Sequence, residues 1–365
     1  MSKHYTERAK EPGASSGPVT GKKTSRKEYR TDKDFSYKSF YEFSPFMYFT
    51  VDGNGIIVAA NSTSVSSLGF SEDALAGRPV LERFHPDDRE TVADRLKICF
   101  DNPGAEYRWE ARKIKKDGSV IWVRENAKTV RTDSGQIFAK IACEDITEQK
   151  LALSMLSMEK KVFETIAGNA PLYKTLELIC REIEDLTSGM LCSFLILDES
   201  GNRLRHGAAP SLPEEYVRAI DGVEIGPSVG SCGTAAYTKA PVIVTDIETD
   251  PLWNDYKELP LRYSLKACWS IPLISSEDKV LGTFAMYYKD PRPPAADELI
   301  LVDTAVRLAI IAIERTNAQE MATHFAGILE EAINEIYIFD AGTFRFLQVN
   351  KGARDNLGYS LEELR

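Results

Sequence analysis

The sequence predicts an α+β fold in tandem units, each an antiparallel sheet with helices, joined by long amphipathic helices. Three observations carry this. β-rich apolar runs bounded by Asn/Asp/Gly turns recur in two separate blocks, near residues 47–147 and 191–288. Stripes of apolar residues at helical spacing lie between and after those blocks. Finally, Leu357–Leu364 repeats the pattern of Leu68–Leu75, so the chain begins a block like its first one again near its end.

Bulk properties agree. A chain of 365 residues exceeds one compact core, and two or three domains are expected. It is 43% hydrophobic and 27% charged, ordinary for a globular protein. The net charge of -10 argues against nucleic acid as a partner. No apolar run reaches the roughly 18 residues of a membrane span, and the most apolar helix, 299–313, is interrupted by Asp303 and Arg307. With no apolar leader and cleavage site at the N-terminus, a cytoplasmic location is expected. The six cysteines are scattered without a CxxC pair or Cys/His ligand spacing, so neither a zinc site nor a disulfide framework is indicated.

Residues 1–34 hold nine Lys/Arg against five Asp/Glu and almost no large apolar side chains. Such a segment cannot bury enough surface to offset its chain entropy, which predicts a disordered polar tail. From there, 47–52 and 56–60 read as a hairpin around Gly53–Gly55. Asn61 opens a short helix that ends at Gly69, and Ser71 caps the next. A longer helix follows His85–Asp88 and runs to Phe100. Strands at 107–114, 120–131 and 137–144 are joined by turns at Asp117-Gly118 and Asp133–Gly135. The expectation is a five-stranded sheet with helices on one face.

Asn61, Leu68-Gly69-Phe70, His85–Asp88, Lys116–Ser119, Trp122-Val123 and Glu144–Thr147, in that order, resemble the PAS sensory domain with its C-terminal PAC segment, over residues 35–147. A helical linker is expected at 148–165. Its Leu151, Met155, Met158 and Val162 form a narrow stripe that suits either a two-helix seam in a homodimer or an ordinary amphipathic helix packing on its own domain.

The second block, 166–318, starts with a helix bearing Leu172, Leu176, Ile179, Ile183 and Leu186 on one face. Strands follow at 191–197, 203–208, 242–244, 267–274 and 280–288, and a helix with Leu299, Val302, Val306, Ala309 and Ile313 leads out. Val229–Tyr237, Pro241–Ile247, Trp269–Leu273 and Val280–Met286 together resemble the GAF domain. In the third block, 319–365, strands at 335–340 and 345–349 precede a helix started by Asn350. It resembles the opening of a second PAS domain that stops short, leaving a two-stranded sheet that is marginal alone.

Chemistry is sparse. No GxxxxGK or HExxH motif occurs, and no segment resembles a kinase or cyclic-dinucleotide catalytic domain. Cys232 and Cys268 admit three readings: buried apolar filling, thiol or redox sensing, or catalysis like that of the GAF-fold free methionine sulfoxide reductases. Gly230–Ala235 matches a turn of those enzymes, but Asp250–Trp253 stands where their essential cysteine lies. The long PAS helix holds no His for haem; His85 reads as a cap and His206 as a structural strand residue. Flavin, bilin and cyclic-nucleotide signatures are absent, which leaves any cofactor unassigned. Cys232, Tyr237, Trp253, Tyr256, Cys268, Trp269 and Tyr288 are the candidate lining of a GAF pocket for a small flat or apolar ligand, with plain core packing as the other reading. The resemblances imply a sensory input and relay module of a bacterial signalling protein, non-catalytic itself. It would be the N-terminal part of a sensor histidine kinase acting on a downstream signalling domain or response regulator. Input to a diguanylate cyclase or phosphodiesterase is the alternative.

Overall fold

The computed structural model describes residues 38–364. The segment read as a polar tail, 1–34, lies outside the described residues. The chain divides into two compact units between Lys150 and Leu151.

In the first unit, β1 (Met47–Asp52) and β2 (Ile57–Ala60) form the expected hairpin. Asp52 shapes its turn by accepting from the N–H groups of Asn54 and Ile56 at 3.0 and 2.9 Å. Two short helices, α1 (Ser62–Leu68) and α2 (Glu72–Leu75), and the longer α3 (Arg89–Asp101) cross over. They lead to β3 (Glu106–Ile114), β4 (Val120–Arg131) and β5 (Ile137–Asp145). The sheet order is β2-β1-β5-β4-β3. Alternate residues face one core: Met47, Phe49 and Val51 of β1 meet Ile141, Val123 and Ala111 from β5, β4 and β3, with Leu68, Leu75, Val92 and Leu96 of the helices above.

Asn61 holds this unit's entry. It is fully buried, caps α1 by accepting from Ser64 N–H at 3.0 Å, and accepts from Tyr48 N–H at 2.9 Å. Its amide donates to the carbonyls of Tyr41 and Phe46. One side chain thus ties a helix start, a strand start and the preceding segment together.

The second unit begins within α4 (Thr147–Ala167), followed by α5 (Leu172–Leu186). Its strands are β6 (Leu191–Leu197), β7 (Arg203–Ala208), β8 (Val223–Glu224), β9 (Val242–Val244), β10 (Ala267–Ile274) and β11 (Val280–Tyr288). They order as β8-β7-β6-β11-β10-β9. Helices α6 (Glu214–Ile220), α7 (Gly230–Thr238) and α8 (Glu258–Arg262) lie in the crossovers, and α9 (Ala296–Glu331) leads out.

Both faces of this sheet are covered, which is why β6, β10 and β11 read as continuous apolar runs rather than alternating ones. On one face Cys192, Phe194, Trp269, Phe284 and Met286 pack with α4, α5 and α9. On the other, Leu195, Cys268, Ala285 and Tyr287 pack with α6, α7 and the loop around Trp253.

The stripe offered as a dimer seam is used internally. Met158 and Val162 are fully buried in the second unit's own core, with Leu151 and Met155 packed against it. The open side of α4 carries Leu153, Leu156 and Phe163 instead. Of the exit-helix stripe, Val302, Ala309 and Ile313 are buried and Val306 packs against the core, while Leu299 is exposed; Leu301, Ala305 and Leu308 are buried as well. Beyond α9, β12 (Tyr337–Phe339) and β13 (Phe346–Val349) pair, followed by α10 (Lys351–Leu357) and α11 (Leu361–Leu364). Asn350 repeats the bonding of Asn61. It accepts from Ile336 and Ala353 N–H groups at 2.8 and 3.1 Å and donates to the carbonyls of Leu329, Ala332 and Asn334.

Candidate ligand cavity of the second unit

A cavity of about 600 Å³ opens between α6, the start of α7 and the 250–262 loop, on the sheet face that carries Tyr287. Its size is in the range of small-molecule sites. Its wall is aromatic and small: Tyr216, Tyr287, Trp253, Val229, Ser231 and Cys232. The Tyr216 and Tyr287 rings meet edge to face at 5.7 Å. Its mouth is charged, with Asp221, Asp255, Glu258 and Arg262 all exposed.

Helix α7 can form this wall because its residues are small. Gly230 enters it at φ +53°, a left-handed conformation suited to glycine. A Cβ on Gly233 would stand 2.8 Å from the Glu224 carbonyl oxygen, so the helix lies nearly flush against neighbouring backbone. Trp253 closes the far side. It sits in a single tight turn, Pro251–Trp253, capped by Asp250 accepting from Leu252 N–H at 2.9 Å. Its indole N–H donates to Ser231 Oγ at 3.0 Å, and Ser231 donates to the Cys268 carbonyl at 3.1 Å. Loop, helix and strand β10 are thereby joined by two buried hydrogen bonds.

The seven expected lining residues part ways. Cys232, Trp253 and Tyr256 line the cavity. Cys268 lies behind Cys232 in the same buried cluster. Tyr237 is 56% exposed on the outer side of α7. Trp269 and Tyr288 point to the opposite sheet face, because the strand period of two puts neighbours of Cys268 and Tyr287 on the other side. There they pack at 4.8 Å and hold the start of α9. Trp269 Nε1 donates to the Arg292 carbonyl at 3.3 Å, and the Arg292 guanidinium pairs with Glu298 at 2.8 Å. Glu298 also accepts from Tyr288 OH at 2.6 Å and from Ala295 N–H at 2.8 Å, which caps the helix. Burial, then the Glu298 carboxylate, push the Tyr288 phenol far up.

The two cysteines differ sharply. The Cys232 thiol is pulled down to about 7, first by the hydrogen bond from Cys268 and then by the hydroxyls of Ser270, Thr283 and Tyr287, against the effect of burial. Burial pushes Cys268 well up. Sequence reasoning missed Tyr216, Tyr287, Ser270 and Thr283. The alternation of β10 and β11 contained the signal for the last three, since 268 and 270, and 283 and 287, share a face.

The first unit has its own unexpected feature, a buried ion pair. Lys113 Nζ lies 3.0 Å from Glu125 Oε1, with both side chains essentially inaccessible. The ammonium sits 3.7 Å above the Phe84 ring centre, and Cys143 Sγ donates to the same Glu125 oxygen at 2.9 Å. Glu125 Oε2 and Trp109 Nε1 have no partner. Elsewhere, His85 caps a turn by accepting from Asp87 N–H, and His206 is exposed on β7. Among the described residues no cluster of three or more His, Cys, Asp or Glu is arranged to hold a metal ion.

Residues 57–141 match the family profile of the PAS fold, and residues 169–314 that of the GAF domain. The chain therefore carries a PAS domain followed by a GAF domain, in an α+β architecture. Among relatives, it is 34% identical over 311 residues to the methyl sulfide methyltransferase-associated sensor of Methanosarcina acetivorans, across 83% of this chain and 31% of that protein. It is 26% identical over 163 residues to the sensor histidine kinase TmoS of Ectopseudomonas mendocina, across 44% of this chain and 17% of that protein. The chain thus matches less than a third of either relative's length. Of solved structures, the GAF domain of an Acinetobacter phosphoenolpyruvate-protein phosphotransferase aligns at 17% identity and a TM-score of 0.37, over 46% of this chain and 96% of that one.

Proposed function

We propose that this chain is the sensory input and relay region of a signal-transduction protein, with the GAF cavity as its ligand site. The output is that of a sensor histidine kinase whose catalytic domain lies outside residues 1–365, so the chain itself catalyses nothing. One observation carries the reading. Strand β10 presents Cys268 to the cavity face and, one residue on, Trp269 to the network that caps exit helix α9. A ligand that moves Trp253 or Ser231 therefore acts on the strand that fixes the start of the outgoing helix. The sensor relatives, one of them aligned over 311 residues of this chain, support the same reading.

On this reading residues 35–147 are the PAS/PAC input, 148–165 a linker, 166–318 the GAF domain, and 319–365 the beginning of a second PAS domain, whose Asn350 plays the part of Asn61. The protein works as a cytoplasmic homodimer. No helix of the described residues is long and apolar enough to cross a membrane. Two exposed stripes supply the dimer contacts: Leu153, Leu156 and Phe163 on α4, and Met321, Phe325 and Ile328 on α9. The test is a chimera in which the chain precedes a histidine kinase core in the register of α9. Trp253→Ala and Glu298→Gln are expected to change autophosphorylation severalfold. Rates equal to those of the unsubstituted chimera for both variants would overturn the reading.

A further inference from the structure

We propose that Cys232 and Cys268 form a thiol switch in the wall of the GAF cavity, with Cys232 attacking a small hydroperoxide and Cys268 closing the disulfide. The chemistry stands without the ligand reading above; only its signalling consequence rests on the cavity being the sensing site.

The geometry has three parts. First, Cys232 alone among the six cysteines lines this cavity, and at 8% exposure it is open to a reagent the size of a peroxide. Second, the sheet beneath it is studded with hydroxyls that have no other use. Ser270 and Thr283 are fully buried, and neither hydroxyl has a hydrogen-bond partner. Both lie on the sheet face that carries Cys268 and Tyr287, and with Tyr287 they favour charge on the Cys232 sulfur. Buried hydroxyls without acceptors are unfavourable, and a thiolate is the acceptor that relieves them. Third, Ser231 Oγ donates to the Cys268 carbonyl, which holds the backbone next to Cys232 against Cys268. The Cys268 thiol is the leading stabiliser of a Cys232 thiolate. The other four thiols are all pushed up by burial. The remaining ionisable groups around the pair are Tyr216 and Tyr287, with Asp221, Asp255, Glu258 and Arg262 at the cavity mouth.

The reaction balances as follows. The Cys232 thiolate attacks one peroxide oxygen, the O–O bond breaks, and the other oxygen leaves as hydroxide or alkoxide and takes a proton. Cys232 is then a sulfenic acid. The Cys268 thiol gives up its proton and attacks that sulfur, an S–S bond forms, and the sulfenic oxygen leaves as water. The two thiols lose two electrons, and the hydroperoxide is reduced to water and an alcohol, or to two waters. Because Ser231 also accepts from Trp253, the disulfide alters the bond that closes the cavity.

The test uses the full chain, hydrogen peroxide at pH 7, and mass mapping of non-reduced peptides. A disulfide joining the Cys232 and Cys268 peptides is expected. In Cys268→Ala, a Cys232 sulfenic acid trapped by dimedone is expected. Iodoacetamide gives a second readout that needs no oxidation. With Cys232 lowered from 9.0 to about 7, its thiolate fraction at pH 7 rises about fifty-fold. Lower nucleophilicity takes back about eightfold, leaving alkylation about sixfold faster than at an ordinary thiol. Thr283→Val and Ser270→Ala should bring that rate down. The proposal is overturned if another cysteine oxidises first, if Cys232 resists both dimedone and iodoacetamide, or if those two variants leave alkylation unchanged. A disulfide in the map supports the switch even where the kinase chimera does not respond; that second result counts against the cavity's sensing role alone.

Discussion

The buried pair in the PAS core allows a decisive energetic test. Lys113 and Glu125 are 3.0 Å apart with 0% and 1% side-chain exposure. At an effective dielectric near 20, their attraction is about 5 kcal/mol. The ring of Phe84, 3.7 Å from the ammonium, adds about 2 kcal/mol in a desolvated setting. Against this stands a desolvation penalty of roughly several kcal/mol for each ion. The unpartnered Glu125 Oε2 costs a further 1–3 kcal/mol or so. The terms nearly cancel, so the pair contributes little net stability, while either half alone is an uncompensated charge. Lys113→Met and Glu125→Leu should each destabilise the PAS domain by about 3–5 kcal/mol, and the double variant should return to within about 1 kcal/mol of the parent. Native-state hydrogen exchange at the β3–β5 amides of the full chain reads this domain by itself. Single variants costing under about 1 kcal/mol, or effects that simply add, would refute the reasoning.

Two further outcomes follow from the geometry. Arg112 donates to Asp88 from its guanidinium at 2.6 Å and its backbone N–H at 2.7 Å, and holds that carboxyl below its ordinary value of 3.8. A depressed pKa stabilises the fold above the unfolded value and is lost as pH falls through the folded one. Acid titration of PAS stability should therefore fall less steeply below pH 3.8 in Asp88→Asn than in the parent, and equal slopes would count against the pairing. Gly233→Ala places a methyl group 2.8 Å from the Glu224 carbonyl oxygen. It should destabilise the GAF domain by about 1–3 kcal/mol and shift Trp253 emission as α7 is pushed off the sheet, both read in a urea titration.

Much of this architecture is legible from local rules. Alternation and Gly/Asp turns locate β1 to β5, because one sheet face is buried and the other is wet. Asn61 and Asn350 announce their helices because an N-cap needs a short acceptor. What escaped is tertiary. The α4 stripe at Met158 and Val162 suits a seam or a core equally, and only the position of α5 and α9 decides. Trp269 and Tyr288 are aromatic neighbours of cavity residues, yet a period of two sends them to the other face. The composition of the cavity mouth depends on the path of the 250–262 loop, which no periodicity encodes. The burial of Lys113 could be read from the strand: it occupies an inward position with Trp109 and Ala111, where a charge demands a partner.

The arrangement of β10 also explains how a small event can leave the GAF domain. A three-residue stretch, Cys268 to Ser270, alternates between the thiol cluster, the capping network of α9 and the cluster again. A packed strand cannot deform smoothly, since its neighbours on both faces are at close-packed distance. Displacement of Ser231 from the Cys268 carbonyl must therefore be taken up either by the cavity lid, through Trp253, or by the far face, through Trp269 and the Arg292 carbonyl. The lid is held by the Asp250 cap, the Trp253 indole bond and the Lys257 ammonium donating to the Glu248 carbonyl at 3.0 Å; the far face is held by the Glu298 carboxylate, which accepts from three groups. On the relay proposed above, the Ser231–Trp253 bond is the element through which a change at the cavity would have to pass before it reached the exit helix.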